Sequence, residues 1–161
     1  MDRVATDLFV GPIDDAGDPD ALRDRGIDRI VSLTHAAPDG PIPEGIAVVD
    51  VPLRDGPRHD PGAFREAVRT VIAGRDAADR VLVHCSAGAS RSPAVAATAM
   101  AIRDGIPLET AFEQIAEARP AIDPHPALVR RAVAVRDQGQ GQGGSQGQDR
   151  DRDRDRSRGP R

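Results

Sequence analysis

Residues 84–92 read HCSAGASRS and place the only cysteine of the chain, Cys85, six positions before Arg91, with small residues between them. The apolar triplet VLV precedes this stretch at 81–83, and an alanine-rich apolar run follows it at 93–102. A short apolar run that ends at a turn is typical of a buried strand, and a longer run that begins with Ser-Pro is typical of a helix. The stretch therefore predicts a strand, a tight loop of small residues and a buried helix, in that order.

The predicted loop is suited to hold an anion. Its residues 86–90 lack the bulk that would stop backbone N–H groups from turning towards one point, and the start of the following helix also favours negative charge. Arg91 supplies a planar guanidinium that can bind two oxygens of one phosphate. Because such groups lower the pKa of a thiol beneath them, we predict that Cys85 is a thiolate nucleophile. The alternative is a small buried hydrophobe, as free cysteines often are.

Apolar patterns along the rest of the chain alternate between strand and helix periods. Asp18-Pro19 and Asp60-Pro61 each combine a helix-capping residue with proline at the first helical position. Strands that alternate with helices, followed by a run of helices, predict an α/β fold with a central mixed or parallel sheet flanked by helices. The predicted strands are 8–10, 30–33, 46–53 and 80–84, and the predicted helices begin near 19, 61, 93, 108 and 128.

The stretch 84–92 resembles the signature of the cysteine-dependent protein tyrosine phosphatase superfamily, which is Cys-x5-Arg or, more fully, His-Cys-x-x-Gly-x-x-Arg-Ser/Thr. The wider pattern is most similar to the compact dual-specificity phosphatases, in which a strand of the type VPLRD precedes a helix and then the catalytic loop. The resemblance covers residues 4–135 and includes LFVG, GIDRIVSL and ARPAIDPHPAL. It implies a catalytic domain over residues 1–136 that hydrolyses phosphate monoesters, chiefly phosphotyrosine and phosphoserine or phosphothreonine on proteins.

Hydrolysis of a phosphate ester also needs a proton donor for the leaving oxygen, and three aspartates precede the loop. Asp50 lies within the predicted strand and points along the sheet, while Asp60 is explained as a helix cap. Asp55 follows the strand in a Gly/Pro loop that can reach the pocket, where the resemblance also places the general acid. We therefore assign this role to Asp55, with a solvated turn aspartate as the alternative.

By the same resemblance, the reaction proceeds in two steps. Cys85 attacks phosphorus while Asp55 protonates the leaving oxygen, and Asp55 then serves as a base for the water that hydrolyses the cysteinyl-phosphate. Arg91 and the loop amides hold the phosphate oxygens. Ser92 donates a hydrogen bond to the sulfur, and His84 orders the loop and helps to lower the thiol pKa. The residues expected to bind phosphate are Ser86, Ala87, Gly88, Ala89, Ser90 and Arg91.

This mechanism requires no metal and no other cofactor. The remaining histidines, His35, His59 and His125, show no ligand spacing with another histidine or with the cysteine. Zinc sites have such ordered spacing, so we expect turn or surface positions for these three residues.

The composition of the loop and of the whole chain bears on the substrate. The loop has no lysine, whereas phosphatases of inositol lipids tend to carry basic residues there. The chain has no Tyr or Trp, and its phenylalanines, Phe9, Phe64 and Phe112, occupy core-like positions. We therefore expect a shallow pocket that admits phosphoserine, phosphothreonine and phosphotyrosine, and small-molecule or RNA 5′-phosphates stay open as substrates.

The charge distribution argues against a nucleic-acid partner. All 22 basic residues are arginine, and residues 149–161 hold six of them beside four Asp, which leaves 16 Arg against 22 acids in residues 1–148. The net negative charge of residues 1–148 does not favour binding to the negatively charged backbone of a nucleic acid. No apolar run approaches the ~20 residues that cross a bilayer, and the N-terminus has no signal-peptide pattern. With one cysteine and no internal disulfide, we expect a soluble protein of the reducing cytoplasm, without a membrane partner.

The last part of the chain differs sharply in composition. QGQGQGGSQGQ at 138–148 and DRDRDRDR at 149–156 contain no apolar residue. Because such segments have nothing to bury, we predict a disordered tail over residues 137–161 that serves as a solubilising or linker segment. A partner-binding arm is the alternative, and the sequence identifies no partner for it.

Two other functional classes are compatible with one low-pKa cysteine in a small-residue loop. A non-catalytic phosphate-binding module would keep Arg91 and the loop, but the intact set of Cys85, Asp55 and Ser92 counts against it. A rhodanese-like sulfurtransferase or a thiol redox protein would use the cysteine in another way. The Cys-to-Arg spacing fits a phosphate tetrahedron, and a lone cysteine lacks a resolving partner for redox chemistry.

Overall fold

The computed structural model describes residues 1–141, and the part of the predicted tail from 142 onward lies outside these residues. The polypeptide alternates between strands and helices, with one 3₁₀ turn at Gly56–Arg58. The strands are β1 (Asp2–Ala5), β2 (Leu8–Pro12), β3 (Arg29–Ser32), β4 (Ala47–Asp50) and β5 (Val81–Cys85). The helices are α1 (Ile13–Ala16), α2 (Pro19–Asp24), α3 (Pro61–Asp76), α4 (Arg91–Arg103), α5 (Leu108–Ala118) and α6 (Pro126–Gly141).

The strands form one mixed sheet in the order β1-β2-β5-β3-β4. Only β1 runs antiparallel to its neighbour β2, and the other pairs are parallel. This arrangement confirms the predicted α/β class and places β5 at the centre, where Cys85 lies opposite Pro12 and His84 lies between Gly11 and Ser32. The carboxyl ends of parallel strands meet at one edge, which is where α/β proteins bind their ligands. The loop after Cys85 lies at this edge.

Helices cover both faces of the sheet, because alternate residues of the central strands point to opposite sides. Val10, Val31 and Val83 belong to the larger core cluster, together with apolar residues of α3, α4, α5 and α6. Phe9, Ile30 and Leu82 belong to a smaller cluster that includes residues of α1 and α2. All five residues of β5 are buried for this reason, as expected for a continuous apolar strand.

Helix α4 lies in the larger core and begins at Arg91, directly after the loop of small residues that follows β5. Every residue from Ser92 to Ala101 is buried, which confirms the prediction of a helix that lies within the core. Its many alanines allow close approach to β5 and to the neighbouring helices. None of the helices within residues 1–141 has both the length and the apolar character that crossing a membrane requires.

Three boundaries differ from the sequence-based expectations. Strand β1 and the short helix α1 were not predicted. The apolar signal of β1 is weak because only one of its four residues, Val4, is buried, and α1 is only four residues long. The ladder of β4 ends at Asp50 and not at Leu53, but the N–H groups of Val51 and Leu53 still bond to the carbonyls of Ser32, the last residue of β3, and of Leu33. Helix α6 extends to Gly141, so residues 137–141 are helical and not part of a tail that begins at 137.

Candidate active site

The backbone carbonyls of the loop between β5 and α4 are held from outside. Four successive carbonyls accept hydrogen bonds from other parts of the chain. The outer two accept from backbone N–H groups: Ser86 from Ile13 (3.2 Å) and Ala89 from Asp123 (2.7 Å). The inner two, of Ala87 (3.0 Å) and Gly88 (2.7 Å), both accept from the guanidinium of Arg119. The C=O and N–H groups of a planar trans peptide point in opposite directions. The amides of residues 87–90 therefore face the inside of the loop, which makes an anion-binding nest.

Gly88 has to be glycine for two independent reasons. Its φ is +66°, in the left-handed region that other residues rarely adopt. A Cβ at this position would also lie 2.6 Å from the backbone carbon of Gly11 and 2.8 Å from a guanidinium nitrogen of Arg119. A side chain would therefore push the loop away from β2 and from the arginine that holds it.

The sulfur of Cys85 lies at the base of the loop, and the residue is 2 % exposed. Its Sγ is 3.2 Å from the Ser92 hydroxyl. Burial by itself raises the pKa of the thiol, but the hydrogen bonds of Ser92, the charge of Arg91 and the Gly88 amide together outweigh it. The pKa of Cys85 therefore lies below its ordinary value, in the direction expected from the sequence.

Arg91 begins α4 and joins the loop to the ends of two strands. One terminal nitrogen donates to the carbonyl of Leu53 (3.0 Å) and, more weakly, to that of Leu33 (3.4 Å), while the other donates to the Ser86 hydroxyl (2.8 Å). Its Nε is buried and has no acceptor among the described residues. The guanidinium is thus fixed in orientation and retains donor capacity for oxygens held within the loop.

His84 is fully buried beside the nucleophile at the centre of the sheet. Neither ring nitrogen has a hydrogen-bond partner among the described residues. Burial lowers the pKa of His84, and the Cys85 backbone and the Asp50 carboxylate offset this effect only in part. The ring is therefore neutral near pH 7. The roles predicted for His84, ordering the loop and lowering the thiol pKa, stay predictions.

Of the three aspartates considered as the acid, Asp55 is the one whose side chain forms a hydrogen bond with the loop within residues 1–141. Its Oδ1 accepts a hydrogen bond from the Ser90 hydroxyl (2.7 Å). Asp60 caps α3 through the Gly62 N–H, as predicted, and Asp50 lies at the exposed edge strand β4. The structure thus brings Asp55 to the loop that follows Cys85, although Asp55 and Ser90 are 35 positions apart and α3 lies between them in the chain.

Two residues that form hydrogen bonds with the loop, Arg119 and His125, were not predicted as site residues from the sequence. Arg119 reaches two loop carbonyls and, with its remaining nitrogen, the carboxylate of Asp2 (2.7 Å). The backbone N–H of His125 donates to the Ser90 hydroxyl (2.9 Å). Both lie in the segment ARPAIDPHPAL, whose resemblance to phosphatases was recognised, but no spacing or period within it indicates these contacts.

The other histidines take structural positions. His125 accepts a hydrogen bond from Ala127 N–H at the start of α6, and His59 lies between the Gly56 carbonyl and Arg131. Within residues 1–141, no three His, Cys, Asp or Glu side chains are grouped so that they could hold a metal ion.

The sequence was compared with known protein families and with individual proteins. Residues 8–138 match the family model described as dual specificity phosphatase, catalytic domain. Dual specificity phosphatase 28 of Homo sapiens is 34% identical over 125 residues, which are 77% of this chain and 70% of that protein. Dual specificity protein phosphatase 15 of Rattus norvegicus is 32% identical over 131 residues, which are 78% of this chain and 53% of that protein.

The fold gives the same result. The crystal structure of human DUSP28 superimposes with a TM-score of 0.80 and 29% sequence identity, over 88% of this chain and 99% of that chain. These similarities do not favour the silent phosphate-binding module or the sulfurtransferase considered above. The chain therefore belongs to the dual specificity phosphatase family and is a cysteine-dependent protein phosphatase.

Proposed function

We propose that the chain hydrolyses phosphotyrosine and phosphoserine or phosphothreonine on proteins through a cysteinyl-phosphate, with Cys85 as the nucleophile and Asp55 as the general acid. The outward anchoring of four successive loop carbonyls supports this proposal most strongly. It turns a row of amides towards the space above the Cys85 sulfur, so that a tetrahedral dianion placed there meets donors on several sides.

The proposed reaction follows from the positions of these groups. The Cys85 thiolate forms a bond to phosphorus while the bond to the leaving oxygen breaks, and the carboxyl proton of Asp55 moves to that oxygen. A water molecule then attacks phosphorus, Asp55 accepts a proton from it, and the S–P bond breaks to restore the thiolate. Ser92 stabilises the departing sulfur, and Arg91 with the amides of residues 87–90 holds the equatorial oxygens in both steps.

The burial of the aromatic residues in the core supports a shallow pocket with broad specificity. Phe9 and Phe64 are buried in the two core clusters, and Phe112 packs against the larger one. With no Tyr or Trp in the chain, an aromatic clamp for the phosphotyrosine ring is lacking. We therefore propose that phosphotyrosine and phosphoserine or phosphothreonine peptides are both accepted, and small phosphate monoesters stay open as substrates.

The first test measures phosphate release from matched phosphotyrosine, phosphothreonine and phosphoserine peptides. We expect release that vanadate inhibits and that falls by at least about 10³-fold in Cys85→Ser, because the nucleophile is lost. Undiminished turnover in that variant, or no release from any of the peptides, would overturn the proposal.

A second arm of the same experiment compares three aspartates. Asp55→Asn should lower turnover by about 10²–10⁴-fold, the usual contribution of a general acid, while Asp50→Asn and Asp60→Asn serve as matched controls with small effects. Asp60→Asn keeps a capping side chain on α3. Equal losses in the three variants would show that Asp55 is the wrong acid.

We further propose a cytoplasmic location, supported by the free thiol of Cys85, which persists in a reducing compartment. The acidic body likewise supports protein substrates over nucleic acid or membrane partners. Fractionation of cells that produce the tagged protein would check this proposal, and recovery in a secreted or membrane fraction would contradict it.

A further inference from the structure

Ser90 occupies the position before α4 at which a serine usually caps a helix. An N-cap serine normally accepts a hydrogen bond from an amide of the first helical turn. Ser90 makes no such bond. Its hydroxyl is turned away from the helix and donates to Oδ1 of Asp55 at 2.7 Å. Ser90 thus gives up a common stabilising contact and contacts the candidate acid across the loop.

The direction of this hydrogen bond is set by a second contact. The backbone N–H of His125 donates to the Ser90 oxygen at 2.9 Å. A hydroxyl has one proton to donate, and with its oxygen engaged as an acceptor the proton points at Asp55. Because the N–H of His125 belongs to the backbone just before α6, the orientation of the hydroxyl depends on the packing of that segment and not on a mobile side chain.

The contact also distinguishes the two oxygens of Asp55. Oδ1 accepts from Ser90 and from the N–H of Gly56 at 2.9 Å. Two donors engage this oxygen, so a proton carried by the carboxyl group resides on Oδ2. The residue itself is exposed on its loop, and without these contacts the carboxyl group would rotate among several orientations.

From these contacts we propose that Ser90 is a positioning residue for catalysis, which orients the carboxyl group of Asp55 so that Oδ2 faces the leaving oxygen. The inference rests on the proposed role of Asp55 as the general acid. Ser90 also belongs to the row of loop residues whose amides face inward. The same residue therefore ties the orientation of the acid to the position of the phosphate, and small errors in such geometry cost large factors in rate.

Both steps use the carboxyl group of Asp55, but only the first depends on the identity of the leaving group. As the thiolate of Cys85 bonds to phosphorus, the leaving oxygen takes the proton from Oδ2 of Asp55, whose carboxylate is left with Ser90 still bonded to Oδ1. A leaving group that is a weak base departs without the proton, whereas an alkoxide or a simple phenoxide needs it. Misorientation of the carboxyl group therefore lowers kcat/KM, which reports the first step, only for substrates with poor leaving groups, whereas a loss in the second step is common to all substrates.

The test uses the full-length protein and a series of aryl phosphates that runs from a dinitrophenyl ester to phenyl phosphate, together with a phosphoserine peptide. We expect Ser90→Ala to lower kcat/KM by about tenfold for phenyl phosphate and the peptide, and to leave kcat/KM for the dinitrophenyl ester unchanged. The ionisation of the Cys85 thiol should not change. Ser90→Thr, which keeps the hydroxyl, should restore activity towards the poor leaving groups.

The double variant Ser90→Ala/Asp55→Asn separates positioning from a general loss of structure. If Ser90 acts through Asp55, the double variant is no slower than Asp55→Asn alone. Equal losses of Ser90→Ala on all leaving groups, or a further loss when it is combined with Asp55→Asn, would overturn the inference. If the loss of kcat/KM in Asp55→Asn is the same for all leaving groups, the proposed acid is wrong. If that loss depends on the leaving group and the loss in Ser90→Ala does not, only the role of Ser90 is wrong.

Discussion

At the scale of single residues, the reactivity of Cys85 depends on two opposing effects at one sulfur atom. Burial disfavours the thiolate, and the largest opposing contribution comes from the side chain of Ser92. The pKa of the thiol is therefore lowered by specific hydrogen bonds and not by exposure to water. A thiol that was buried to the same extent without these donors would be an inert core residue.

We predict that Ser92→Ala raises the pKa of the Cys85 thiol, because the alanine cannot donate to the sulfur. At a fixed pH below the thiol pKa, alkylation by iodoacetamide should slow by about tenfold, which corresponds to the loss of one hydrogen bond to a charged group. Alkylation rates measured between pH 5 and 9 give the titration curve.

Thr98→Val is the matched control for Ser92→Ala, because it also removes a buried hydroxyl from α4. Thr98 donates to the Ala94 carbonyl and not to the sulfur. The two variants should therefore differ in their titration curves. Identical curves for the wild type and Ser92→Ala would contradict the role assigned to this serine.

At the scale of secondary-structure elements, the catalytic loop owes its shape to its neighbours. Its own side chains are small, and its carbonyls are held by the start of α1, by the residue after α5 and by the segment before α6. Arg119 contributes most, since one guanidinium bonds to two successive carbonyls and to Asp2. The end of α5 therefore helps to orient the amides that face the substrate.

We predict that Arg119→Met weakens oxyanion binding, because two loop carbonyls lose their donors and the peptide planes become free to turn. The inhibition constant for vanadate should rise by about tenfold or more. Asp2→Asn is the control: it removes the charge at the outer end of the guanidinium, a partly exposed contact of small energy, and should change the constant by less than about threefold. Equal effects of the two variants would contradict this account.

At the scale of the whole molecule, the two helical layers enclose β5 so completely that His84 is buried as a neutral ring. The unfolded chain exposes the same imidazole and lets it take up a proton near its ordinary pKa. A group whose pKa is lower in the folded state contributes stability above the unfolded pKa, and this contribution is lost as the pH falls. Folding is therefore coupled to the protonation of a residue next to the nucleophile.

We predict that the free energy of unfolding decreases as the pH falls below about 6.5, by at most about 1.4 kcal/mol per pH unit from this residue. Urea unfolding between pH 7.5 and 5.5, in a Cys85→Ser background that removes the titration of the thiol, measures the slope. His84→Asn should flatten the slope, and His35→Asn, at an exposed position, should leave it intact. A free energy of unfolding of the Cys85→Ser protein that is constant over this range would refute the prediction.

Much of this protein was determined by its sequence alone, because the relevant signals are local. Three signals depend on residues that are close along the chain: the apolar run of α4, the Asp-Pro caps of α2 and α3, and the small-residue loop with Gly88. The resemblance of residues 84–92 to a phosphatase signature, and hence the family, is local in the same sense.

Only the tertiary structure decided how the loop is oriented and what surrounds the acid. Arg119 is 117 residues from Asp2 and 31 from the carbonyl of Gly88, while Ser90 is 35 residues from both Asp55 and His125. No period or cap encodes such contacts, since they arise when the sheet and the helices pack and bring distant backbone groups within hydrogen-bond distance. Local patterns thus specified which residues could react, and packing specified where their protons and carbonyls point.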